Sequence, residues 1–244
     1  MNRVYLDYNA SAPLREEARE AMVHAMALAG NPSSVHAEGR QARAIVEIAR
    51  QQVAAALGAQ GADVIFTSGA TEAAGLALNG RGIRCADIEH EAVSSWCQSD
   101  LSCGSDGGVA CEAPEATALQ LANSETGILQ QLPEGLALCD MTQAFGKLPV
   151  AFHWTGATMA LVSAHKIGGP KGVGALIVKR GTEVAAQIKG GGQEMGRRSG
   201  TENVIGIAGF GAAAEAAQRD LADGVWEQVE KLRNILEKAV AQSS

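Results

Sequence analysis

Four short apolar runs, at 63–67, 136–140, 158–163 and 173–179, limit what this chain can become, and a fifth of the same kind spans 118–123. A strand with one wet face alternates apolar and polar residues. These runs are almost continuously apolar, which suits a sheet covered on both sides, as parallel sheets are. Between and around them the spacing is helical. Leu14, Ala18, Met22, Ala25 and Met26 recur over 14–29, and Ala42, Ile45, Val46, Ala49, Val53 and Leu57 share one face over 36–57. Gly30-Asn31-Pro32-Ser33-Ser34 separates the two helices, with Ser34 as the expected cap of the second. Helical composition resumes at Thr71. The tail reads as two helices, 203–219 and 223–241, the last carrying the stripe Val225, Trp226, Val229, Leu232, Ile235, Leu236 and Val240. The polar, Gly-rich stretch 99–116 reads as a loop or hairpin. The pattern predicts a doubly wound α/β sandwich with its ligands at the strand ends.

Composition narrows the partners. With 244 residues, 46% of them hydrophobic, the chain has material for a sizeable core. A net charge of −7 argues against nucleic acid or an anionic membrane, which call for a basic face. No run approaches the ~18 apolar residues of a membrane span, and the N-terminus has no apolar signal core. Five cysteines without a C-x-x-C pair suggest neither a zinc knuckle nor a disulfide framework. The expectation is a cytoplasmic globular protein without a metal site.

Polar residues gather where the apolar runs stop. Ser163-Ala164-His165-Lys166 ends one run, and a half-desolvated lysine there is an amine nucleophile toward carbonyls. Ser68-Gly69-Ala70-Thr71 joins a strand to a helix and offers amides to an anion. Asp140 closes another strand, where a carboxylate can pair with a protonated ring nitrogen. Glu89-His90-Glu91 and the Gly-rich segment 190–201, with Arg197, Arg198 and Thr201, complete the set. Each cluster alone also fits a bland role: a surface lysine, a helix cap, a solvated helix start or a turn.

Together, a phosphate cradle, a stacking His, a strand-end Asp and a carbonyl-reactive Lys are the parts of a pyridoxal-phosphate site. The chain resembles the class V aminotransferase family, and within it the cysteine desulfurases of the iron–sulfur cluster assembly type. The motifs carrying the likeness are Tyr5-Leu6-Asp7-Tyr8-Asn9-Ala10, Gly30 to His36, Phe66 to Glu72, Glu89-His90, Asn123-Ser124-Glu125-Thr126-Gly127, Asp140 to Lys147, Ser163 to Lys166 with Gly169-Pro170-Lys171-Gly172, and Arg198-Ser199-Gly200-Thr201.

The resemblance implies a type I pyridoxal-phosphate-dependent transferase fold, a three-layer sandwich with a mainly parallel sheet. It implies pyridoxal 5'-phosphate as cofactor, L-cysteine as substrate, a homodimer, and an iron–sulfur scaffold or other sulfur acceptor as partner. By the same resemblance Lys166 bonds covalently to the cofactor and moves the proton, and His90 stacks on the ring and relays protons. Asp140 pairs with the ring nitrogen, Gln143 donates to the phenolic oxygen, and Ala70, Thr71, Ser163 and His165 hold the phosphate. Thr201 reaches the phosphate of the neighbouring subunit. Other class V activities, selenocysteine lyase or aminotransferase, stay open, as does a non-catalytic cofactor-binding scaffold subunit.

The chain also departs from the family pattern. Ser124 stands where an Asn usually contacts the ring. The segments between the motifs from Glu72 to Asp140 are shorter. No cysteine follows Cys139, whereas the family's nucleophilic Cys and a carboxylate-clamping Arg lie in a small C-terminal domain. The expected division is therefore a cofactor-binding large domain over 1–222, whose segment 1–30 packs on the small domain. A helix over 223–244 leads to that small domain, which is absent. On that expectation the chain is a piece of a longer enzyme or depends on a partner.

Overall fold

The apolar runs become neighbouring strands. The computed structural model describes residues 3–242. Its central sheet contains β1 (Asp63–Thr67), β4 (Ala118–Gln120), β5 (Leu138–Asp140), β6 (Met159–Ser163) and β7 (Gly174–Val178), in the spatial order β1-β7-β6-β5-β4. β4, β5 and β6 pair in parallel, while β7 pairs antiparallel with both β6 and β1. Four of the five strands therefore run the same way. β7 reverses because the turn after β6 is too short for the crossover that a parallel neighbour needs. The register aligns Thr67 with Gly174 and Gly174 with Ser163, so three strands end in one row.

A smaller parallel pair, β2 (Arg84–Ala86) and β3 (Gln98–Leu101), lies beyond β4 and joins its edge through an Arg84–Thr117 bridge. The sequence reading missed both strands. β2 has three residues, and β3 is polar and largely exposed, so neither prints an apolar run. The turn after β3 does fold back as a hairpin, with Cys103 bridged to Val109.

Six α-helices occur among the described residues: α1 (Glu16–Met26), α2 (Ala37–Ala56), α3 (Ala70–Leu78), the short α4 (Glu91–Ser94), α5 (Val204–Ala222) and α6 (Val225–Ala241). Alternate strand residues divide between two cores. Val64, Phe66, Val162 and Ile177 pack against α2 and α5 through Ala49, Val53, Phe210 and Ala213. Ile65, Leu138, Leu161 and Leu176 pack against α3 and α4 through Ala73, Ala77 and Val93. The result is the three-layer α/β sandwich with a mainly parallel sheet. α5 approaches α2 so closely that a Cβ on Gly211 would sit 2.7 Å from the Ala49 Cα, which is why α5 is built from Gly and Ala. His36, not Ser34, caps α2: it directly precedes the first helical residue, and its Nδ1 accepts from the Gly39 amide at 3.3 Å.

α6 differs from the rest. None of its residues is buried, and Val229, Leu232, Ile235, Leu236 and Val240 stand exposed. No helix among the described residues is long and apolar enough to cross a membrane.

Leu161 is fully buried at the middle of the sheet. Leu161→Ala should cost about 2–5 kcal/mol of unfolding free energy in urea denaturation. A loss no larger than that of a surface substitution would contradict this packing.

Candidate active site

Because β1, β4, β5 and β6 run the same way, their carboxyl ends open on one pocket, as strand ends do in open α/β sheets. Ala70, Thr71, His90, Ser124, Asp140, Gln143, Ser163, His165 and Lys166 all line it. Thr201 does not; it is exposed, in the segment that leads into α5.

One wall is the turn from β1 into α3. The first amides of α3 have no intrahelical partner and lie at the positive end of the helix dipole. Glu72 stiffens this turn. Its Oε2 accepts from the Ser68 amide at 2.8 Å, and its Oε1 receives the Arg198 Nε at 2.8 Å. Arg198 is thus tied to the cradle of its own chain, and Arg197 pairs with Asp63 at 2.7 Å. β7 passes close behind: a Cβ on Gly174 would lie 2.7 Å from the Gly69 backbone. Any other residue there would push the cradle out of place.

The floor is Asp140, buried at the end of β5, with its Oδ1 accepting from the Thr142 amide at 2.8 Å. Burial raises its pKa; the hydrogen bond from Thr142 and the charges of His90 and Lys166 work against that rise. His90 caps α4 through its Nδ1, which accepts from the Ala92 amide at 3.0 Å. The helix-start role and the pocket role therefore coincide in one residue. Behind Asp140 lies Glu89, 7% exposed, whose Oε1 accepts from the Gln120 amide at 2.8 Å. Its Oε2 is buried without a partner. Burial foremost, then the charges of Asp140 and Cys85, pushes its pKa up to about 8.

The opposite wall carries Lys166. Its Nζ donates to the Asn9 carbonyl at 2.6 Å. Burial lowers its pKa, against the pull of Asp140, Asp7 and Glu125. The neutral amine, the form that attacks carbonyls, is thereby favoured. His165 Nδ1 meets Ser11 Oγ at 3.3 Å, and burial followed by three nearby lysines lowers its pKa. Gln143 Nε2 donates to the same Asn9 carbonyl at 3.1 Å, and Asn9 Nδ2 donates to the Ser124 carbonyl. Asn9 and Ser11 therefore belong to the site, although they sit in an irregular N-terminal segment whose only sequence signal was its motif. That segment is fastened by Ala12 N to His165 O at 2.9 Å and by Arg15 Nε to Ile167 O at 2.7 Å.

The residues present fit pyridoxal phosphate. An anion seat, an acceptor carboxylate and a carbonyl-reactive amine face one another, and the buried Thr142 hydroxyl on the same pocket has no protein partner.

Fold and site together define a type I pyridoxal-phosphate-dependent transferase architecture, and the chain belongs to the aminotransferase class-V family, whose pattern matches residues 4–98 and 112–244. Its sequence is 41% identical, over 90% of the chain, to a cysteine desulfurase of Frankia sp. (strain EuIK1), covering 64% of that protein. It is 37% identical over its whole length to a cysteine desulfurase of Klebsiella pneumoniae, covering 69% of it. The chain thus spans about two thirds of the length of these relatives. Both alignments, at 266 and 276 residues, are longer than the 244-residue chain, so the relatives carry residues between the shared motifs that it lacks. A NifS-like protein from Rickettsia africae superposes with a TM-score of 0.91 at 32% identity, over 99% of this chain and 76% of that one.

Glu89 gives a pH test. The folded chain holds its proton up to about pH 8, whereas the unfolded chain releases it near 4.5. Stability from this group is full below the lower value and declines as pH rises toward the upper one. Glu89→Gln mimics the protonated form, so its stability relative to wild type should grow between pH 5 and pH 8. A constant difference across urea titrations at those two pH values would show that Glu89 ionises normally.

Proposed function

We propose that this chain is the cofactor-binding part of a pyridoxal-phosphate-dependent cysteine desulfurase. The reaction converts L-cysteine and a thiol into L-alanine and a persulfide. The observation that carries the reading is the facing of the Lys166 amine and the Asp140 carboxylate across a pocket whose third side is the start of α3. The naming of similar proteins as cysteine desulfurases supports the choice among class V activities.

Each residue then has a task. The amides and hydroxyl of Ala70 and Thr71, with Ser163 and His165, hold the phosphate. Asp140 keeps the ring nitrogen protonated, Gln143 donates to the ring oxygen, and His90 covers the ring face. Ser124 takes the place of an Asn beside the ring with a shorter hydroxyl. When bound, pyridoxal phosphate supplies an electron sink for the carbon beside the substrate's amino group. Lys166, its pKa lowered, takes the proton from that carbon and returns one. In the sulfur step a thiolate bonds to the substrate Sγ as the Cβ–Sγ bond breaks. The electron pair stays with carbon, which a proton then completes as alanine. No cysteine among the described residues lines the pocket, so the accepting thiol comes from elsewhere.

Residues 1–222 form the cofactor-binding body in this reading. Within 223–244, whose last two residues lie outside the described ones, helix α6 is the element on which a further body packs, an assignment supported by its exposed apolar side chains. Two copies associate so that Thr201 of each reaches the other's phosphate, an iron–sulfur scaffold or another carrier receives the sulfur, and the reaction takes place in the cytoplasm.

Purified protein reconstituted with pyridoxal phosphate should absorb as a lysine adduct that borohydride fixes to Lys166, and Lys166→Ala should lose it. With L-cysteine and added dithiothreitol, alanine and sulfide should appear in equal amounts, and Lys166→Ala should abolish both. A trapped adduct at another lysine, or turnover that survives Lys166→Ala, would refute the assignment.

A further inference from the structure

Lys147 has no place in the scheme above, yet its Nζ lies 2.6 Å from the Oε1 of Gln143. The amine is partly buried, one residue beyond Gly146, in a groove that adjoins the pocket. On the outer side of that groove stand Glu227, Glu230 and Arg233 of α6, and the charge of Lys166 acts on the amine. Gln143 borders both the groove and the pocket.

A primary amide has two ends, an acceptor oxygen and a donor nitrogen, and a half-turn exchanges them. Which end faces a ligand is decided by whatever occupies the other end. A lysine ammonium has three donors and no acceptor, so it accepts only one orientation of a neighbouring amide: oxygen toward the lysine, nitrogen away. Here the nitrogen points away from the lysine and donates to the Asn9 carbonyl at 3.1 Å. That carbonyl also takes the Lys166 amine at 2.6 Å, so Lys147, Gln143, Asn9 and Lys166 form one hydrogen-bonded chain.

We infer that Lys147 is a positioning residue: as an obligate donor on Gln143 Oε1, it fixes the side-chain amide so that Nε2 is presented to the cofactor's ring oxygen. The inference rests on the cofactor reading above. Burial and the charge of Lys166 bring the Lys147 pKa down to about 8, so at neutral pH it is still mainly the ammonium that the argument requires.

The test reads the absorbance of bound pyridoxal phosphate against pH in the reconstituted full chain, apart from any turnover. Lys147→Met should keep the borohydride-trapped adduct at Lys166 but move the pH midpoint of the absorbance change up by about one unit. The donor to the ring oxygen and a nearby positive charge are both lost. Lys147→Arg, another obligate donor, should hold the wild-type midpoint. Lys147→Gln, which can accept as well as donate, should shift as Met does and stands in for it if the Met variant fails to fold. Added to Gln143→Met, the Lys147→Met change should shift the midpoint by less than half as much as it does alone, because its route through the amide is gone. Additive shifts, or failure of Arg to restore the midpoint, would overturn the positioning role alone. Absence of any cofactor band in wild type would overturn the cofactor reading and this inference with it.

Discussion

Asp140 sets the terms for everything around it. A carboxylate buried at the end of a central strand has lost its water, and one amide bond from Thr142 does not replace that water. Left alone it would take up a proton, and burial pushes it that way. The surrounding elements supply positive charge instead, from His90 and the Lys166 amine. Glu89 works against them. It places a second carboxyl behind the first, and since two buried acids in one neighbourhood do not both ionise readily, Glu89 is the one that keeps its proton. The floor of the pocket is thus a poised acceptor for a cation, with a protonated carboxyl as backing.

The Gly-rich loop is held with similar economy. Glu194, 5% exposed, accepts from the two terminal Arg50 nitrogens at 2.7 and 3.0 Å and from the Phe66 amide at 3.0 Å. The Arg50 guanidinium also lies 4.8 Å from the Phe66 ring centroid. Glu194 and Met195 adopt left-handed backbone, φ 49° and 57°, which costs about 1–2 kcal/mol each for residues with a Cβ. A buried ion pair is poor evidence of net stability, but it is demanding about geometry. Its value here is placement: with Arg197 on Asp63 and Arg198 on Glu72, it pins the loop to α2, β1 and α3 at three points.

Much of this was legible in the sequence because it follows from short-range rules. The interiors of the runs at 63–67 and 158–163 are apolar because both sheet faces are covered, and the runs end in Ser68 and in Ser163-Ala164-His165-Lys166 because that edge meets the pocket. The unread parts depend on contacts that no local pattern encodes. β3 is polar and exposed, so nothing in its composition marks a strand. His36 displaced Ser34 as the cap of α2 because a cap is fixed by where the first helical residue falls. Asn9 reaches the pocket through its carbonyl, an atom every residue has, and joins partners 134 and 157 positions away. Arg198 reads as a free phosphate contact until the fold sets Glu72 against it.

α6 ties the exposed part of the molecule to its chemistry. A 17-residue helix with no buried residue has little to hold it in place, because helices of such length are marginal in water without a packed face. Its clearest tether is the Trp226 indole, which donates to the Gly146 carbonyl at 2.8 Å. Gly146 directly precedes Lys147, and the turn Asp140 to Lys147 carries the buried Asp140, Gln143 and the lysine hydrogen-bonded to its amide oxygen. The groove between α6 and this turn is lined from one side by Trp226, Glu230 and Arg233 and from the other by Gln143 and Lys147. The turn that carries Gln143 and Lys147 and the exposed helix α6 thus meet at the walls of one groove, joined by a single indole hydrogen bond.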